Sequence, residues 1–408
     1  VLGISVRQVW RVMAAFREQG AAGLAHGNRG REPVNKLSSA TRERILWLAD
    51  VQYVDYNDSH FTEKLEREHD IRVSRSTLRR LRRSIGQRSP RKCRRPAHRK
   101  RRERYSQTGM LLQLDGSPHD WLEGRGPRLT LLVAVDDASS EVPHGVFRQQ
   151  EDDAGYLELV WGISRTHGLP LAVYTDRHTI FRSPKQATIE QELAGERPRS
   201  QFGRVMHELG IEMIVAYSPQ AKGRVERLLG TFQDRLVKEL REAGACTQDD
   251  ANQVLQRFLP EYSARFGVVP AQPGSAYRPW PKGLKPEEIL CFKHHRTVSN
   301  DNTISFDGNR LQIPPGPDRV SYARARVEVQ QRLDGSLVIC YKGRTLVIYQ
   351  PADQSPVRVG KFTPAPAAHT PAPAKTLPAE PVVTKTRSPY KPPPDHPWRL
   401  YPISPKAA

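Results

Sequence analysis

Cysteine is scarce in this chain: four in 408 residues, at Cys93, Cys246, Cys291 and Cys340. They stand far apart and form no Cys-x-x-Cys pair, which argues against a zinc ribbon and leaves no disulfide framework. Long apolar runs are missing as well. No stretch approaches the roughly 20 residues that a bilayer-spanning helix requires, and no signal peptide is present, so the chain reads as cytoplasmic, reduced and without a membrane partner. Acid is in deficit, with 44 Asp and Glu against 64 Lys and Arg and a formal charge of +20. A surplus of that size favours a polyanionic partner, nucleic acid above all, through counterion release. No segment recurs at a fixed period. The chain opens at Val1 in mid-pattern and without a methionine, so a truncated N-terminus is expected.

What is present falls into blocks. In residues 1–34, Gly3 and Ser5 make a turn and a cap, and Val6, Val9, Trp10, Met13 and Phe16 follow at helical spacing. That is the second half of a helix-turn-helix. Residues 35–86 hold a fuller unit: a helix over Thr41–Gln52, another over Phe61–His69 capped by Asp58 or Ser59, and a third after Ser74. The third carries Arg75, Arg79, Arg80, Arg82 and Arg83 around Leu78, Leu81 and Ile85, with no compensating acid. A capped basic helix is what a recognition helix needs, with base-edge contacts from Arg75, Ser76 and Arg79 near its start and phosphate contacts from Arg80 and Arg83 along its flank. Residues 87–108 form a basic linker in which Arg94 and Arg95 would lie along phosphates.

From residue 109 to 245 the texture becomes α/β. Three short apolar runs suit an antiparallel meander, and the order βββαβαβα predicts a mixed five-stranded sheet flanked by helices, interrupted by a polar insertion over 182–200. Residues 246–295 read as a helical connector. Residues 296–350 alternate strands with turns at Asp307-Gly308 and Asp334-Gly335, which predicts a small β-barrel. The Pro-rich tail over 351–408 lacks the apolar residues to offset ordering entropy and is expected to be disordered. Its Trp398, Leu400 and Tyr401 are either a docking motif or chance aromatics.

Three acids stand at the edges of elements: Asp115 ends "LLQLD", Asp176 ends "AVYTD", and Glu226 sits in the first turns of the helix in "YSPQAKGRVERLLGTFQDRL". Glu226 follows Val225 of the stripe Val225, Leu228, Leu229, Phe232, Leu236 and Leu240, which puts it about 100° round, at the stripe's edge. Three converging carboxylates make a hard, all-oxygen cage suited to Mg²⁺ or Mn²⁺. Two such ions would clamp a phosphodiester for in-line attack. Asp136 and Asp137 also end a strand, but one expected to finish at the opposite edge of the sheet.

The combination resembles the DDE catalytic core of retroviral integrases and bacterial insertion-sequence transposases, a ribonuclease-H-like fold, and is most similar to the ISNCY-type transposases. "LLQLDGSPHDWL" resembles the strand of the first Asp, "VYTDRHTIF" that of the second, and "YSPQAKGRVERLLGTFQDRL" the loop and helix of the Glu. The resemblance covers roughly residues 1–350. It implies that Asp115, Asp176 and Glu226 are the catalytic metal-binding triad, with two Mg²⁺ or Mn²⁺ ions. It also implies that Tyr217, Gln220 and Lys222 lie in a loop meeting a DNA end. "TDRHTIF" departs from the commoner "TDNGSEF", and the 49 residues between Asp176 and Glu226 exceed the usual spacing because of the insertion. Gly230 and Gln233 replace frequent basic contacts, which leaves Lys222, Arg224 and Arg227 to meet DNA. The implied activity is metal-dependent 3′-end cleavage and strand transfer on double-stranded element ends and target DNA. It would be carried out by a homo-oligomer in the bacterial cytoplasm, associated with the nucleoid. The alternatives are a catalytically silent relative acting as a DNA-binding regulator and, less suited to two helix-turn-helix units, a structure-specific nuclease.

Overall fold

A computed structural model describes residues 3–25, 28–30, 32, 36–88, 102–183, 198–215, 223–317 and 319–351. Arg94, Arg95, Tyr217, Gln220, Lys222, Cys93, most of the 182–200 insertion and the tail beyond 351 lie outside the described residues.

Helix α1 (Val6–Gln19) starts where expected, with the Ser5 side chain accepting from Gln8 N. None of its residues is buried, so its apolar stripe makes no core. Helices α2 (Ser39–Val51), α3 (Asp58–His69) and α4 (Arg75–Ser84) close around Ile45, Leu48, Tyr53, Tyr56, Phe61, Leu65 and Leu78. Ser74 caps α4, accepting from Thr77 N at 3.2 Å. The cap of α3 differs from the expected Asp58 or Ser59. Asn57 takes that place, because its one carbonyl oxygen accepts from both Ser59 N and His60 N.

The central sheet runs in the order β3-β2-β1-β4-β5, from β1 (Leu111–His119), β2 (Leu129–Asp136), β3 (His144–Arg148), β4 (Ala172–Thr175) and β5 (Glu212–Val215). The first three strands are antiparallel, and β4 and β5 join parallel to β1, which is the expected mixed sheet. Alternation along the strands sorts side chains to two faces. Leu112, Leu114, Leu132 and Ala134 pack with α5 (Asp153–Thr166) and α6 (Gln201–Glu208). Leu131, Val133 and Val135 pack under α7 (Gly223–Glu242) and α8 (Gln248–Phe266), through Val225, Leu228, Phe232 and Leu255.

After the short α9 (Pro286–Ile289), the C-terminal strands are β6 (Cys291–Thr297), β7 (Thr303–Phe306), β8 (Asn309–Gln312), β9 (Arg326–Arg332), β10 (Leu337–Tyr341) and β11 (Arg344–Tyr349). The small barrel expected here is not formed among the described residues. The pairings give an open four-stranded sheet, β11-β10-β9-β6, and a separate β7–β8 hairpin sharing one core with it. Closure would need a continuous ladder from β6 round to β11, and among the described residues β7 and β8 pair as strands only with each other. The Asp307-Gly308 turn is as read, with both residues at positive φ (49° and 77°), the backbone of a two-residue hairpin.

One interface is unusually charged. Lys64 of α3, 3% exposed, is paired with Glu68, with Glu239 at 3.0 Å and with Glu242. Around it Arg235 bridges Glu63, Arg241 bridges Asp55, and His60 meets Glu239 at 2.9 Å. Burial alone would push the Glu239 carboxyl up, yet the His60 hydrogen bond and Lys64 hold it down at about 2. Burial pulls the His60 imidazole below its usual range.

Two outcomes follow for the intact chain. Lys64→Ala leaves three carboxylates facing an uncompensated cleft and is expected to cost about 3–5 kcal/mol in urea unfolding. Glu239 has a folded pKa below its unfolded value, so its contribution is complete above the ordinary carboxylate range of about 4.5. That contribution fades as pH falls towards about 2, and a melting series across that window should lose more stability in wild type than in Glu239→Gln.

Candidate active site

The two strand-borne acids are brought together by register. The last parallel pair between β1 and β4 is Gln113 with Tyr174, so Asp115 and Asp176 each lie two residues further on, Asp115 in the middle of β1 and not at its expected end, Asp176 just past the end of β4. Parallel neighbours are about 4.8 Å apart. Both acids are half-buried, and Asp176 accepts from His178 N at 2.9 Å, which fixes the turn after β4. The Tyr156 hydroxyl is buried and donates to Glu151 Oε1 at 2.6 Å. Burial drives the Tyr156 phenol pKa well up, and Glu151, Asp115 and Asp176 all push in the same direction. Three carboxylates therefore act on one phenol.

Glu151 was not singled out from the sequence. It sits in the acidic run Glu151-Asp152-Asp153 ahead of α5, where Asp152 is the N-cap, and such runs read as helix capping. Its carboxylate lies over Gly116, so close that a Cβ there would stand 2.7 Å from Oε2.

Helix α7 lies along the other face of β1, opposite Gly116. Val225 N donates to Gln113 Oε1 at 3.4 Å, and Gln233 Nε2 donates to Ser117 Oγ at 3.1 Å. Gln113, Asp115 and Ser117 share one face of the strand, so these two contacts bracket Asp115. Glu226, Gly230 and Gln233 share a helical stripe at i, i+4 and i+7. Glu226 is exposed on that stripe. Its carboxylate does not join the two aspartates in a cluster. Among the described residues, no three His, Cys, Asp or Glu side chains are gathered closely enough to hold a metal ion.

The basic residues divide. On α4, Arg75, Ser76, Arg79, Arg80 and Arg83 are exposed, whereas Arg82 is 1% exposed and structural. Arg82 pairs with Asp58 at 3.1 Å and donates to the carbonyls of Tyr56 and Val54. On α7, Arg227 is exposed. Arg224 turns inward to Asp137 Oδ1 at 2.8 Å, and burial lowers its pKa. No helix among the described residues is long and apolar enough to cross a membrane.

Comparison with known proteins gives the chain a family. The chain is 36% identical over 351 residues to "Putative transposase y4bF" of Sinorhizobium fredii, covering 85% of this chain and 75% of that one. The chain belongs to this transposase family. The transposase is also 28% identical over 439 residues to the transposase for insertion sequence IS1202 of Streptococcus pneumoniae, covering 98% of this chain and 88% of that protein. No family model matches. Among solved structures, the magnesium-bound HTLV-2 integrase catalytic core in its trimeric form covers 36% of this chain and 82% of that one, at 20% identity and a TM-score of 0.28. The simian T-cell lymphotropic virus intasome with the PP2A regulatory subunit B56 gamma covers 75% and 98%, at 14% identity and a TM-score of 0.31.

A pair of glycine substitutions tests the packing of the site. Gly116→Ala must displace the Glu151 carboxylate from the Tyr156 hydroxyl and should cost about 1–3 kcal/mol of stability. Gly230→Ala meets nothing within 4 Å on the exposed stripe and should be neutral or add about 0.5–1 kcal/mol. Denaturant titration of the two variants checks the contrast.

Proposed function

We propose that this transposase binds the terminal inverted repeats of its element, cleaves at the 3′ ends and joins the freed 3′-OH to target DNA. Asp115, Asp176 and Glu226 are the acids that serve this chemistry in our reading. The supporting observation is the shared register of Asp115 and Asp176, with the first turn of α7 held against Gln113 on the same strand. The donor set fits a hard divalent cation, Mg²⁺ or Mn²⁺, because it is all carboxylate oxygen. Two ions bound there would activate the attacking oxygen and stabilise the leaving one. Asp115 and Asp176 offer adjacent ligands from rigid strands. Glu226, exposed at the head of α7, would complete the set by turning its side chain towards β1. Arg227 beside it is free of the inward pairing that engages Arg224 and is placed to meet a phosphate. The exposed arginines of α4 would read the repeat from the major groove, and two ends would be held by a homo-oligomer.

The purified chain should be assayed with a labelled terminal-repeat duplex and Mg²⁺. Asp115→Asn, Asp176→Asn and Glu226→Gln each remove a ligating charge at nearly constant size. Each should abolish cleavage and joining while leaving end binding intact, and near-normal cutting by any one would remove that acid from the triad. On the binding side, Arg75→Ala with Arg79→Ala should lower discrimination between repeat and scrambled duplex by about 1–3 kcal/mol per lost base contact. An equal loss on both duplexes would reduce α4 to a phosphate contact.

A further inference from the structure

The side-by-side acids Asp136 and Asp137 close β2 and do different work. Asp136 caps its own turn, accepting from the backbone N–H groups of Gly109, Ala138 and Ser139. Asp137 is fully buried and turned to distant parts of the chain. Its Oδ1 accepts from Arg102, from Arg224 at 2.8 Å and from Gln113 Nε2 at 2.7 Å, and its Oδ2 accepts from Tyr105 N at 3.0 Å. Gln113 in turn accepts from Val225 N through its other amide atom, and Arg224 also donates to the Arg102 carbonyl at 3.0 Å.

We infer that Asp137 is a positioning residue that fixes the first turn of α7, and with it the placement of Glu226 beside β1. Arg224 and Val225 are the two residues immediately before Glu226, and Asp137 holds one directly and the other through Gln113. A buried carboxylate facing two guanidinium groups is held by charge as well as by hydrogen bonds, so its orientation is narrowly defined. Neutralising it leaves Arg102 and Arg224 close together with no counter-charge, and the turn is free to swing outward. The contact also ties the segment at Arg102 and Tyr105, which leads in from the basic linker, to the same turn. This inference rests on the reading of Glu226 as a metal ligand.

The test uses the full chain in four forms beside wild type: Asp137→Asn, Arg224→Gln, Arg224→Lys and Asp115→Asn. Cleavage kcat, KM for the repeat duplex, melting temperature and the calorimetric isotherm for Mg²⁺ alone are measured on each. Asp137→Asn and Arg224→Gln are expected to lower kcat about ten- to a hundredfold with KM unchanged, and to weaken Mg²⁺ binding about tenfold. Arg224→Lys, which keeps the charge, should recover most of the kcat. If Asp137→Asn fails to fold, Arg224→Gln carries the same expectation. Wild-type kcat and Mg²⁺ affinity in Arg224→Gln would overturn the inference. So would a joint fall of kcat, duplex affinity and melting temperature without rescue by lysine, which is the mark of a structural role only. Asp115→Asn separates the two readings: if it still cuts, the metal assignment fails; if it is dead while Arg224→Gln is normal, only the positioning role falls.

Discussion

Strand β1 is hydrogen-bonded on both edges, antiparallel to β2 along most of its length and parallel to β4 only through its first residues. The candidate site depends on that unequal pairing. Where β4 stops pairing, β1 runs on, and the carboxyl end of such a strand is where open α/β sheets present their functional loops. Asp115 and Asp176 stand level there because both are the same distance past the last shared pair. The period of two then decides which helix each β1 residue meets. Gln113, Asp115 and Ser117 share the α7 face, while Gly116 turns to Glu151. A slip of one residue would send Asp115 to the other face and leave Gln113 and Ser117 without their helix contacts.

Much of this was legible because it is local. The cap at Ser74, the Asp307-Gly308 hairpin and the order of strands and helices all come from short-range pattern, and the structure has them. Asp176 was legible as an acid at a strand end. Asp115 was read the same way, but β1 runs on to His119 because its ladder with β2 continues, so Asp115 stands in mid-strand. What pattern could not supply is long-range pairing. In the run Arg79-Arg80-Leu81-Arg82-Arg83, nothing local marks Arg82 as the residue that turns inward to Asp58 and two carbonyls. Lys64, in a stretch that reads as a solvated face, is buried because α7 supplies its acids from about 175 positions away. Asp137 was set aside because its strand was expected to finish at the opposite edge of the sheet, and nothing local marks its partners, which come from three separate elements. The barrel was over-read: alternating strands with good turns imply sheet, but closure depends on which edges meet.

The contact between α3 and α7 adds a second constraint on Glu226, from the other end of the helix. Glu239 lies 13 residues after Glu226, about 20 Å along the axis at 1.5 Å per residue. Paired as they are, Lys64, Arg235 and Arg241 gain little net stability over an apolar interface, since desolvating each charge offsets most of the attraction. What such an interface does supply is a single permitted alignment, because any shift leaves a buried charge unmatched. A helix pinned by charge near both ends transmits position along its length, and α7 is pinned at Arg224 by Asp137 and at Glu239 by Lys64 and His60. The arginine-bearing helix α4 packs on the same small core as α3, so its exposed face keeps a defined relation to the first turn of α7. Charge that contributes little to stability thereby sets the distance between the surface proposed to read DNA and the acids proposed to cut it.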